Sequence, residues 1–179
     1  MNEEPSKGLL MVFTGDGKGK TTAALGVAVR AAGRGMRTHI IQFVKAPGAS
    51  GEHRSVEGLG PLVTIEARGT GFLQPTDEVA MKEAREAAEG GWEQATLFLR
   101  QEGLDILVLD ELTVALNHGL LEPAEVVEAL SRRRPSLHVI VTGRGASREI
   151  CDMADLVTEM VARKHPYEQG RQGQCGVDF

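Results

Sequence analysis

Short apolar runs alternate along the chain with Ala-rich stretches of helical character, and Gly-bearing turns separate them. Leu9-Leu-Met-Val-Phe13, closed by a Gly-rich turn, predicts a buried strand. Lys20 to Ala32 is rich in Ala and Val, lacks proline and meets Gly33 and Gly35, which predicts a helix and its stop. Thr38 to Val44 predicts a second strand. Strand, Gly-rich turn, helix and strand make one βαβ unit. That unit sets the fold class as α/β, a mostly parallel sheet covered by helices on both faces.

The same reading continues downstream. Ala46–Gly51 is a small, polar loop, and Leu62–Glu66 predicts a third strand. Arg68–Pro75 is irregular and carries an exposed-looking Phe72-Leu73. Thr76 is placed to cap a helix starting near Asp77 and running towards Arg100, with Asp77 and Glu78 favourable in its first turn. Gly90-Gly91 predicts an interruption of that helix. Asp105–Leu109 reads as a central strand ending in Asp110-Glu111. Pro123 opens a helix to about Arg132. Leu137–Thr142 predicts a strand followed by Gly143-Arg144-Gly145 and a short helix from Ser147, and Leu156–Met160 a last strand. No repeat or linker divides the chain, so residues 1–179 are expected to form one domain, with 1–8 a flexible leader.

Composition narrows the picture. Apolar residues make up 41% of the chain and aromatics only 4%, so the core must be mainly Val, Leu, Ile and Ala. Such a core suits buried parallel strands. A formal net charge of −5 weighs against a nucleic-acid partner. Cys151 and Cys175 lie far apart without metal or redox spacing and are expected to be reduced thiols. No secretory pattern opens the chain and no apolar run matches a bilayer, so no membrane association and a cytoplasmic location are expected.

The chemistry concentrates in Thr14-Gly-Asp-Gly-Lys-Gly-Lys-Thr-Thr22, between a strand and a helix. Glycines let backbone N–H groups turn inward towards an anion, and the helix adds the positive end of its dipole. Lys20 supplies a cation to phosphates and Thr21 a hydroxyl for Mg²⁺. Gly15, Asp16, Gly17, Lys18, Gly19 and Thr22 complete the expected ATP-binding loop. Thr14 stands where the common phosphate-loop pattern has glycine. Asp110-Glu111, at the C-terminal end of an apolar strand, should face Thr21 and hold the metal, one acid directly or through water and the other orienting a group. Arg144, between two glycines at the same sheet edge, suits phosphate oxygens.

Several segments together resemble one family: Phe13 to Ala24, Gln42-Phe-Val-Lys45, Gly51-Glu52, Gly69-Thr-Gly-Phe72, Val108 to Thr113, Val141 to Gly145, Lys164-His165 and the ending Gly170–Phe179. In this order they are similar to the CobA/BtuR-type cob(I)alamin adenosyltransferases, over nearly the whole chain from Leu10. The resemblance implies a RecA-like P-loop fold and transfer of the 5′-deoxyadenosyl group of ATP to the cobalt(I) of a reduced corrinoid, releasing triphosphate. It implies Mg²⁺ or Mn²⁺, a homodimer, an electron-donating flavoprotein and ATP bound in reverse. It also implies catalytic roles for Lys20, Glu111 and Arg144, and a corrin-facing apolar segment at Phe72 and Leu73, where Gln74 replaces a common aromatic. His165 is expected to be structural. Two other readings share the loop: a nucleotide hydrolase or kinase cutting a phosphoanhydride, and a non-catalytic protein that delivers corrinoid or ATP.

Overall fold

The computed structural model describes residues 7–178; the leader 1–6 and Phe179 lie outside the described residues. In chain order the elements are β1 (Leu10–Thr14), α1 (Lys20–Ala32), β2 (Thr38–Gln42), α2 (Glu52–Glu57), β3 (Val63–Ala67), α3 (Glu78–Arg100), β4 (Ile106–Asp110), α4 (Leu112–Asn117), α5 (Pro123–Ser131), β5 (His138–Thr142), α6 (Arg148–Met153) and β6 (Leu156–Glu159). The six strands form one sheet in the order β3-β2-β4-β5-β1-β6, and every pairing is parallel. β5 therefore stands between β1, which carries the Gly-rich loop, and β4, which carries the acids.

Alternation along the strands divides the core in two. Ile40, Ile106, Val108 and Ile140 pack with Ala24, Ala28 and Ala31 of α1 and Val56 of α2. Ile41, Leu107, Leu109, Val139 and Val141 face the other way, onto α3, α4, α5 and α6. Helices thus cover both faces, which is why the central strands are apolar throughout.

The alternation also places the polar ends. Counting by twos along the α1 face, Thr38 and Ile40 lead to Gln42, Ile106 and Val108 to Asp110, and Ile140 to Thr142. Gln42 is in register with Asp110, and Leu109 with Val141. Three polar side chains, each 0% exposed, therefore form a row at the C-terminal ends of adjacent strands.

Two expectations about α3 need correcting. Asp77, not Thr76, is the N-cap: its Oδ1 accepts from the N–H groups of Val79 and Ala80, both at 3.0 Å. The Asp77 carboxylate satisfies two orphan donors and, unlike a hydroxyl, also brings negative charge to the positive helix end. Gly90-Gly91 does not interrupt the helix, which is continuous to Arg100. Its buried stripe Ala84, Ala88, Gly91, Ala95 and Leu99 packs on the sheet, and that burial outweighs the ~1 kcal/mol helix penalty of each glycine. The strand limits differ from the expected ones by one or two residues, and α2 and α4, six residues each, are too short for a helical period to register in sequence.

The two glycines differ in surroundings. A Cβ at Gly91 would lie 3.0 Å from Arg68 Cβ and 3.4 Å from Phe43 Cε1, whereas at Gly90 it meets nothing within 4 Å. Gly90→Ala should therefore stabilise the protein by about 0.4–1 kcal/mol in urea unfolding. Gly91→Ala should be net destabilising, by about 1 kcal/mol or more. Equal effects at the two positions would contradict this packing.

Candidate active site

The Gly-rich loop leaves β1 at Thr14 and enters α1 at Lys20. Gly15 and Gly19 have φ of 93° and 115°, a region other residues rarely adopt. The glycines also let the loop lie against the chain leaving β6. A Cβ at Gly15 or Gly17 would approach Met160 O to 2.5 or 2.7 Å. Gly17 N–H donates to that same carbonyl at 2.6 Å, so this glycine contributes shape rather than a free donor. Thr14 Oγ1 accepts from Ala146 N–H at 3.2 Å and pins the loop after β5.

α1 begins at an N-cap glycine with no side-chain cap, and its first turn holds no acid. Its positive end is therefore left for an anion. Lys20 is 7% exposed, with its ammonium donating to Gly15 O at 2.7 Å and Gly17 O at 2.8 Å. Burial lowers its pKa, with help from Arg144, while Glu111, Asp16 and Asp110 oppose the shift. Lys18 is more open and pairs with Asp178 at 2.6 Å. Asp16 and Thr22 are exposed at the mouth of the loop.

Asp110 joins this loop to the sheet. Its Oδ1 accepts from Thr21 Oγ1 at 2.8 Å and Thr142 Oγ1 at 2.7 Å, and its Oδ2 from Gln42 Nε2 at 3.0 Å. Because Thr21 gives its proton to Asp110, its lone pairs are left for another partner. Glu111 behaves differently. It turns into the left-handed region at φ 60°, and its N–H donates to Thr142 Oγ1 at 2.9 Å. Among the described residues its carboxylate carries no hydrogen bond or ion pair. Burial, followed by the neighbouring Asp110 charge, raises its pKa, against Lys20, Lys45 and Arg144.

Arg144 stands on the loop after β5. Thr113 Oγ1 and Asn117 Nδ2 of α4 donate to its carbonyl at 2.7 and 3.0 Å. A Cβ at Gly143 would lie 2.3 Å from Thr113 Oγ1, so glycine is required for this contact. The Arg144 side chain is exposed and close enough to affect both Lys20 and Glu111 electrostatically.

The loop after β3 hangs on the exit of β2. Gly69 N–H and Gly71 N–H donate to Lys45 O at 3.1 Å and Val44 O at 2.8 Å. A Cβ at Gly69 would overlap the Val44 backbone at 2.0 Å. Phe72 projects from this anchored turn and is 98% exposed, so it is no core residue. Leu73 instead packs partly buried against the core on the α3 side.

With this geometry in place, likeness to known proteins becomes informative. The family model for the ATP:corrinoid adenosyltransferases BtuR/CobO/CobP matches residues 6–179. The chain belongs to this family. A corrinoid adenosyltransferase of Escherichia coli K12 is 39% identical over 176 residues, 98% of this chain and 88% of that protein. The corrinoid adenosyltransferase CobA of Salmonella typhimurium is 40% identical over 177 residues, again 98% and 88%. That of Pseudomonas aeruginosa is 38% identical over 173 residues, 97% and 84%.

Lys20, Thr21, Asp110, Glu111 and Arg144 thus lie together at one edge of the sheet. Sequence reasoning placed Gln42, Lys45, Glu52 and Thr142 in motifs without giving them a site role, and did not single out His53. Lys45 forms an ion pair with Glu52. Burial works to raise the Glu52 pKa, but hydrogen bonds from Lys45 and Gln42 and the Lys45 charge bring the net shift down. For Gln42 and Thr142 the available signal was a polar residue closing an apolar strand.

No three His, Cys, Asp or Glu residues form a metal cluster among the described residues. Thr21, Asp110 and Glu111 offer hard oxygens, and the Glu111 carboxylate has no partner among the described residues. That fits Mg²⁺ or Mn²⁺ completed by phosphate oxygens and water, the usual pattern for a nucleotide-bound ion. No described helix is long and apolar enough to cross a membrane.

The raised pKa of Glu111 has a stability consequence. The folded carboxyl keeps its proton to higher pH than the unfolded chain does. Its contribution is full below the ordinary carboxylate value and declines as pH rises through the folded value. In chelator, Glu111→Gln should therefore be more stable than wild type at neutral pH in thermal unfolding. The advantage should close on acidification. An advantage that grew on acidification would refute the burial effect.

Proposed function

We propose that this chain, acting as one domain, transfers the 5′-deoxyadenosyl group of ATP to the cobalt(I) of a reduced corrinoid. The cobalt electron pair forms the bond to C5′, the C5′–O bond breaks, and its electrons leave with triphosphate. Cobalt(I) is the nucleophile, so the protein need supply neither a nucleophile nor a general base. It must align C5′ and stabilise the leaving group. The observation that supports this most directly is the Thr21–Asp110 hydrogen bond, which ties a cation-bearing anion loop to an acidic strand end.

Lys20 and Arg144 meet the triphosphate from two sides, and the loop Gly15–Thr22 grips it. Thr21 and Glu111 hold Mg²⁺ or Mn²⁺ directly, with Asp110 behind them, because three hydrogen bonds already occupy the Asp110 carboxylate. When bound, the metal neutralises charge on the phosphates. ATP lies reversed relative to phosphate-transferring enzymes, so that C5′ and not the terminal phosphorus faces the acceptor. Phe72 presents its ring to the lower corrin face. Burying such a ring contributes about 1.5–3 kcal/mol. An electron-donating flavoprotein maintains cobalt(I), the enzyme works in the cytoplasm, and two copies associate.

Alignment of the reacting atoms can contribute about 7–11 kcal/mol. Loss of one well-placed charge donor typically costs about 3–4 kcal/mol of barrier. In an anaerobic assay with ATP and chemically reduced corrinoid, Lys20→Ala should therefore lower turnover by roughly 10²–10³. Its unfolding midpoint should move little. The wild-type product should be triphosphate over many turnovers. ADP or AMP would mean phosphoanhydride cleavage, a single turnover would mean delivery, and full activity of Lys20→Ala would remove the loop from the reaction.

A further inference from the structure

Behind Asp110 runs a chain of hydrogen bonds that the transfer reaction does not itself require. Gln42, 0% exposed in β2, donates through Nε2 to Asp110 Oδ2 at 3.0 Å and to Glu52 Oε1 at 3.2 Å. Its Oε1 faces His53 Nε2 at 2.6 Å. His53 Nδ1 in turn accepts from Gly48 N–H at 3.0 Å. Gly48 belongs to the loop between β2 and α2, and Glu52 and His53 open α2.

The chemistry of these groups allows one polarity. A backbone N–H can only donate, so His53 Nδ1 is an acceptor and the ring proton sits on Nε2. That proton goes to Gln42 Oε1. The two Gln42 N–H bonds then have two carboxylates to satisfy, and both are used. Turning the amide over would set its oxygen against Asp110 and Glu52, and its NH₂ against the His53 N–H. Every contact would become repulsive. The Gln42 amide is therefore locked from outside the sheet, by a histidine on a surface helix.

We infer that Gln42 is a positioning residue for the metal site, with His53 as its lock. The amide holds Asp110 Oδ2, which fixes the carboxylate so that Oδ1 takes the Thr21 hydroxyl proton. The Thr21 lone pairs are then left for the metal. Outer partners of this kind commonly alter metal affinity about 10–100-fold when removed. The inference rests on the metal role assigned to Asp110 and Thr21 above, and the test separates the two.

Mn²⁺ binding in saturating ATP is read from the electron paramagnetic resonance signal of the free ion, with no corrinoid present. Unfolding midpoints are measured without ligands. Gln42→Leu should weaken Mn²⁺ binding about tenfold or more. His53→Leu should weaken it in the same direction by a smaller factor. In an Asp110→Asn background, Gln42→Leu should add less than about twofold, because its effect passes through Asp110. Equal losses in both backgrounds would mean that Gln42 acts only through general stability and would overturn the inference. So would wild-type affinity in Gln42→Leu and His53→Leu while Asp110→Asn is impaired. Unchanged affinity in Asp110→Asn would instead sink the metal reading. If Gln42→Leu does not fold, His53→Leu decides: wild-type affinity there overturns the lock and weakened affinity supports it.

Discussion

The Asp110 carboxylate is the point on which the site depends. It is fully buried, and three donors from three elements meet its oxygens: Thr21 from α1, Thr142 from β5 and Gln42 from β2. A buried carboxylate is tolerable only when its oxygens are satisfied, and here the donors that satisfy it are also the parts of the site. The constraint works in both directions. Fixing Asp110 fixes the first turn of α1 relative to β4, and with it the approach of the Gly-rich loop to the sheet edge. Glu111, one residue later, turns into the left-handed region, and its carboxylate has no partner among the described residues.

A second constraint is close backbone approach. The loop after β1 rests on Met160, the loop after β5 on Thr113, and the loop after β3 on Val44. At Gly15 and Gly143 glycine is demanded by a neighbouring atom and by a positive φ; at Gly17 and Gly69 the neighbouring atom alone demands it. The glycines therefore serve architecture before they serve any ligand. Gly17 shows this most clearly, since its N–H is bonded to protein. The anion-binding capacity rests more on the uncapped start of α1 and on Lys20, whose burial weakens its hold on its proton.

The exposed Phe72 stands apart from this economy of burial. Its turn is rigidly hung on Val44 and Lys45, yet its ring lies almost entirely in solvent. Folding alone gives such a ring nothing to pack on. The proposed corrin contact supplies such a surface. Leu73 faces inward and holds the turn from behind.

The sequence by itself determined the strands, the helix after the Gly-rich loop and the two-sided covering of the sheet. These follow from local periodicity: apolar residues on both faces of each central strand, and Ala-rich helices between them. It also marked Lys20 and Thr21, where the Gly-rich turn meets its helix, and Asp110, Glu111 and Arg144, where strands give way to turns. Local pattern could not tell that Gly91 lies under Arg68 and Phe43, so it mistook a packing glycine for a helix breaker. It could not order the strands either. Only the tertiary structure brought β2, β4 and β5 side by side and in register. Only that adjacency turned Gln42, Asp110 and Thr142, distant in the chain and unremarkable singly, into one hydrogen-bonded row. Such a row depends on which strands are neighbours, and strand order is fixed by crossovers and packing rather than by any short stretch of residues.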